Sequence, residues 1–141
     1  MDKAVAGFFL PIAVHIICCI VNFRNFLWGH PTWVNVLASA CCILFGFLFP
    51  LFAQRWPFAV TVTAVLAGFL LLSCLLVLAG EVLPGLLPFA TLFVFAFWMT
   101  VSGVFDRLFY GIYGWTAMAV FALVWLVYLI CLRRSVRHWD S

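Results

Sequence analysis

The chain has 141 residues, 69% of them hydrophobic and 8% charged, with a mean hydropathy of +1.29. Soluble domains carry roughly 25% charged residues, so this composition excludes a water-facing globular surface and makes the bilayer the main solvent. The formal net charge of +3 comes largely from Arg133, Arg134 and Arg137. Such a cluster is first an orientation signal and then a contact for anionic lipid. With no basic surface elsewhere, nucleic acid is not expected as a partner.

Backbone groups in hydrocarbon must be satisfied within the chain, which leaves helices or a closed barrel. The apolar runs are long and do not alternate with period two, so helices are predicted. The expectation is an all-α, polytopic transmembrane helical bundle of about five spans. It forms a single integral membrane domain over residues 1–141, with almost no extramembrane part.

The first run covers residues 4–23 and holds Pro11, His15 and the adjacent pair Cys18-Cys19. Proline there removes one helix hydrogen bond and crowds the preceding turn, so a kink is expected. Lys3 beside Asp2 is a thin positive region, and no small-x-small site follows, so a secretory signal is not expected. Residues 22–31 mix amides, an arginine, a histidine and aromatics, a composition suited to the membrane–water interface. Pro31 fits the start of the next helix.

The second run, 32–53, holds Asn35, Ser39, Cys41-Cys42, Gly46 and Pro50. The break Gln54-Arg55-Trp56-Pro57 is so short that the second and third spans must be antiparallel neighbours. The third run, 58–79, carries Thr61, Thr63, Ser73 and Cys74 and no charge, and a turn rich in glycine and proline follows it. The fourth run is 86–105, the fifth 114–132, and Arg133-Arg134 stops the latter. Five crossings put the termini on opposite sides. The arginine cluster then assigns the C-terminus to the cytoplasm, with four positive residues on that side against three on the other. A four-span arrangement, with the first run lying in the interface, is the structural alternative.

The stretch 98–115 concentrates the unusual residues. Asp106-Arg107 are its adjacent opposite charges, with Tyr110, Tyr113 and closely spaced glycines around them. If the fourth helix continues, Met99, Gly103, Asp106, Tyr110 and Tyr113 share one face, and Thr100, Gly103, Arg107 and Gly111 form the neighbouring stripe. That stripe suits a cavity lining or a helix-docking surface. The plainer reading is a chain leaving the membrane through an aromatic belt.

His15 is the histidine deep in an apolar run. One hydrogen bond to a neighbouring helix would satisfy it, and a proton or ligand contact is the functional reading. Asn35 is the amide among otherwise small hydroxyl residues, which let helices approach and bond. All six cysteines fall in apolar runs, where a thiol packs as a small hydrophobe. Thiolates bind soft metals, which makes Cys18, Cys19, Cys41 and Cys42 weak metal candidates. The first pair resembles the adjacent cysteines in the first span of small mercury-transport membrane proteins, a likeness of two residues and hydropathy pattern. Adjacent cysteines point about 100° apart on a helix, so neither pair chelates well alone.

No cofactor is expected. A nucleophile and base at catalytic spacing are lacking, so the reading leans away from an enzyme. Three functional classes follow. The first is a small transport or channel-like unit working as a homo-oligomer in the lipid bilayer, and the second an accessory or scaffold subunit bound to another membrane protein. The weaker third is a lipid-modifying enzyme using His15, Asp106 or Glu81.

Overall fold

A computed structural model of the protein describes residues 2–28, 31–82, 101–108 and 112–139. The described residues form α1 (Lys3–Trp28), α2 (Trp33–Phe52), α3 (Ala59–Val82), α4 (Ser102–Leu108) and α5 (Ile112–Trp139). No strand occurs among them. Among the described residues, four stretches are long and apolar enough to cross a membrane: Lys3–Phe23, Trp33–Phe52, Ala59–Gly80 and Tyr113–Ser135. The protein is an all-α membrane bundle. Of the expected run 86–105, residues 86–100 lie outside the described residues. The first run packs against α2 and α3 as a full helix rather than lying apart from the bundle. It also continues to Trp28, so Asn22 belongs to the helix body and not to an interfacial loop.

The core lies mainly between α3 and α5, with Leu70, Cys74, Val101, Met118, Ala122, Trp125 and Leu129 buried in it. Alanine and cysteine at the contact allow close backbone approach, the usual means of helix association where lipid is as apolar as leucine. Ile17, Ile20, Leu44, Phe52 and Val124 point outward. In water they would form a large adhesive patch; in a bilayer they are the ordinary outer surface.

The α2–α3 turn is tight. Ala53 N–H donates to the Phe49 carbonyl at 2.8 Å and Trp56 N–H to the Ala53 carbonyl at 2.9 Å. Phe58 takes a φ of 67°, in the left-handed region that a bulky residue rarely adopts. Gly7 of α1 abuts the Pro57 carbonyl so closely that a Cβ there would collide with it. The start of α1 and the α2–α3 turn therefore share one end of the bundle.

α4 belongs to the other end. Gly103 N–H donates to Ser39 Oγ at 3.0 Å, and the Arg107 guanidinium lies 5.5 Å from the centroid of Trp33, which opens α2. α5 starts from that end and runs parallel to α2. Its Trp125 and then its Tyr128 reach the carbonyls of Gly46 and Phe47. Arg133 and Arg134 thus finish at the end that holds Lys3 and Arg55. This corrects the expectation that the termini lie on opposite sides. Arg107 also moves, to the end where α1 finishes with Arg24.

Candidate functional site

The organising feature is one face of α2, on which Asn35, Ser39, Cys42, Gly46 and Pro50 are all buried. Spacings of three and four residues put them in one line along the helix. Each level of the line meets a different neighbour.

At the top level Asn35 ties the start of α2 to α1. Its Oδ1 accepts from Thr32 N–H at 2.9 Å and from the Thr32 hydroxyl at 2.6 Å. Its Nδ2 donates to the Val21 carbonyl of α1 at 2.9 Å. One turn on, Ser39 Oγ accepts from Asn22 Nδ2 at 2.9 Å and from Gly103 N–H. Three helices meet at that hydroxyl. Gly103 is required there, because a Cβ would strike the Asn35 backbone and Ser39 Oγ. Of the expected stripe, Gly103 packs against α2 and Arg107 is exposed, while Thr100 lies outside the described residues.

At the lower level the arrangement starts from Pro50. Proline has no N–H, so the Gly46 carbonyl four residues earlier loses its intrahelical partner. Trp125 Nε1–H of α5 donates to that carbonyl at 3.0 Å. Gly46 also makes room for the indole, since a Cβ would overlap its ring. Around the indole stand Phe47, Phe121 and His15, whose ring is stacked within 12° of it at 6.2 Å. Tyr128 Oη–H donates to the Phe47 carbonyl at 3.1 Å.

His15 is buried, and its Nδ1 lies 3.2 Å from the Pro11 carbonyl one turn earlier. A carbonyl only accepts, so Nδ1 carries the proton and Nε2 keeps its lone pair. The histidine therefore partners its own helix and an aromatic face, rather than donating to a neighbouring helix. Thr63 and Ser73 behave likewise, donating to the carbonyls of Ala59 at 2.8 Å and Phe69 at 2.7 Å.

The other sequence candidates separate. Arg107 and Tyr113 are exposed at the Trp33 end, as a belt residue and its cation would be. Thr100, Tyr110 and the side chain of Asp106 lie outside the described residues, as does the side chain of Arg137. Arg133 and Arg134 are exposed on the last turns of α5. All six cysteines are free thiols; Cys18 and Cys42 are buried, Cys19 is half-buried and Cys41 exposed. Among the described residues no group of three or more His, Cys, Asp or Glu side chains is placed to hold a metal ion. A groove of about 640 Å³ runs between α4 and α5, lined by Phe105, Tyr113, Thr116, Ala117, Val120 and Phe121. Its lining is almost wholly carbon.

Sequence reasoning missed Gly46 as a docking point on this line, and Asn22 and Trp125 as its partners on α1 and α5. A signal existed for the last two: a proline inside an apolar helix frees the carbonyl four residues back, and an indole N–H elsewhere in the chain needs an acceptor.

No protein-family model, curated protein or solved structure matches this chain.

Proposed function

We propose that the chain is an accessory or scaffold subunit of a larger membrane assembly. One observation carries this reading: Asn22, Asn35, Ser39, Trp125 and Tyr128 each bond one helix to another. Intramembrane polar groups of a conducting pore line a wet path and stay available to the ion. Here they fasten helices, and the described groove is too apolar to carry a hydrated ion. Native mass spectrometry after gentle extraction tests the reading. A second protein at fixed stoichiometry is the expected result, and a clean homo-oligomer without a partner would overturn it.

The second reading is a transport or channel-like unit working as a homo-oligomer. His15 supports it, since Nε2 keeps a lone pair in the middle of a span. It predicts that His15→Ala abolishes proton-coupled flux in vesicles while the bundle stays folded. The lipid-modifying enzyme has no support from any nucleophile–base pair among the described residues.

For orientation, the end that bears both termini carries Lys3, Arg55, Arg133, Arg134 and Arg137, against Arg24 and Arg107 at the other. Five against two favours a cytoplasmic location for both termini, and so retains the cytoplasmic C-terminus. Reporter fusions should place the two termini on the same, cytoplasmic side. A split result would remove the assignment.

A further inference from the structure

The fold gathers positive charges that lie far apart along the chain. Lys3 opens α1, Arg55 sits in the α2–α3 turn, and Arg133 and Arg134 stand on the last turns of α5. Gly7, one turn after Lys3, abuts the Pro57 carbonyl of that turn, and the rings of Phe8 and Phe58 lie 6.3 Å apart. α1 therefore starts beside Arg55. Tyr128 bonds α5 to the Phe47 carbonyl of α2, and the two helices run the same way. At a rise of about 1.5 Å per residue, Arg133 then comes level with Phe52, which ends α2, and Arg55 follows just beyond it. The four cations share one depth, at the ends of the spans.

All four side chains are exposed, and among the described residues none of them enters an ion pair. The acids are placed elsewhere. Glu81 lies at the far end of α3 and Asp106 in α4, both at the opposite end of the bundle. Among the described residues Asp2 is the acid at this end, and its Oδ1 accepts the Ala4 N–H at 3.1 Å.

The neighbours of Arg55 choose the partner. Phe52 and Phe58, on either side of it in the chain, are 80% and 57% exposed. Cations interleaved with bare aromatic rings suit the boundary between headgroup and acyl chain, where each finds its own medium. A water-soluble acidic protein would satisfy the cations and leave the rings uncovered. We propose that this end of the bundle is a composite surface for anionic phospholipid headgroups, in which Lys3 and Arg55 act together with Arg133 and Arg134. Sequence alone assigns such a contact to the tail arginines and sets Lys3 and Arg55 on the other side of the membrane. The surface stands whether the chain is a scaffold or a transporter, and whichever leaflet it faces.

The test uses the full-length protein in phosphatidylcholine bilayers with traces of spin-labelled phosphatidylglycerol or phosphatidylcholine of the same acyl chains. Electron paramagnetic resonance reads the fraction of each lipid held at the protein. Phosphatidylglycerol should be held at least about threefold more strongly at low salt, since each basic residue near the surface attracts anionic lipid. That preference should shrink as NaCl passes about 0.15 M, where the screening length is about 8 Å. Lys3→Gln with Arg55→Gln should remove a share of it comparable to that removed by Arg133→Gln with Arg134→Gln. All four replacements together should abolish it, and Arg107→Gln, at the opposite end, should change it less than either pair. Near-UV circular dichroism shows that each variant is folded. Inorganic phosphate should compete no better than NaCl of equal ionic strength. Four results would each overturn the surface: no preference for phosphatidylglycerol, a preference untouched by the Lys3 and Arg55 pair, a greater loss from Arg107→Gln than from either pair, or displacement by phosphate beyond its ionic strength. Binding of polyglutamate without selection of phosphatidylglycerol would assign this end to an acidic protein instead.

Discussion

The two halves of α2 are fastened by opposite devices. In the N-terminal half the side chains of α2 do the bonding: the Asn35 amide reaches α1, and the Ser39 hydroxyl collects donors from α1 and α4. In the C-terminal half the backbone of α2 accepts and the side chains come from α5, Trp125 to Gly46 and Tyr128 to Phe47. The first device adds a polar group to the helix. The second removes one, the N–H of residue 50, and lets a neighbour fill the gap. In hydrocarbon an exposed backbone carbonyl is as strong a docking point as an amide side chain, because no water competes for it.

The comparison breaks most sharply at Trp125. Trp125→Ala should destabilise the bundle by about 3–5 kcal/mol, as truncation of a buried aromatic does. Trp125→Phe keeps most of the ring and loses the N–H, so the unpaired Gly46 carbonyl should cost about 1–3 kcal/mol. Pro50→Ala supplies the missing N–H within α2. Combined with Trp125→Phe it should restore part of that loss, a positive coupling in a double-mutant cycle. Reversible unfolding in mixed detergent measures all three variants. If Pro50→Ala fails to rescue Trp125→Phe, the proline-freed carbonyl is not what holds α5.

The other half should respond more to shape than to hydrogen bonding. Gly103→Ala drives a methyl against the Asn35 backbone and should cost about 1–3 kcal/mol by overpacking. Asn35→Leu removes the amide but keeps the volume. Interhelical polar bonds inside bundles average about 0.6 kcal/mol, so the loss of the Val21 contact should be the smaller effect. An Asn35→Leu penalty above that of Gly103→Ala would reverse this ranking and make the amide the chief fastener of α1, α2 and α4.

The class of fold was legible because so few charges leave no alternative to lipid. The spans 32–53 and 58–79 were legible because Arg55 and Trp56 interrupt two long apolar runs. Asn35 stood out as the amide within an apolar run, and the structure sets it in the first turn of α2. What the sequence hid was partnership. Nothing local to Cys18 says that it meets the Ala38 carbonyl of α2, and nothing local to Trp125 says that it meets Gly46. Those pairs depend on how α1, α2 and α5 are arranged around one another, which periodicity within a helix does not encode. Sidedness was hidden for a related reason. Counting runs put Arg107 with Lys3, whereas the Gly103–Ser39 bond sets it at the opposite end.

A comparably small effect is expected at Arg107. Its guanidinium rests over Trp33, yet both side chains are exposed. Cation–π contacts at exposed sites contribute about 0.5–1 kcal/mol, so Arg107→Ala should shift stability by no more than that. Orientation should also hold, because the opposite end keeps Lys3 and the arginines of the turn and tail, and loss of Arg107 widens the charge difference rather than narrowing it. Arg107→Lys should fall between the two. Topology reporters and unfolding on this pair of variants separate an interfacial residue from a working one. A bundle that stays folded and correctly oriented, but fails to hold its partner protein when Arg107 is replaced, would place this arginine in the binding surface between subunits.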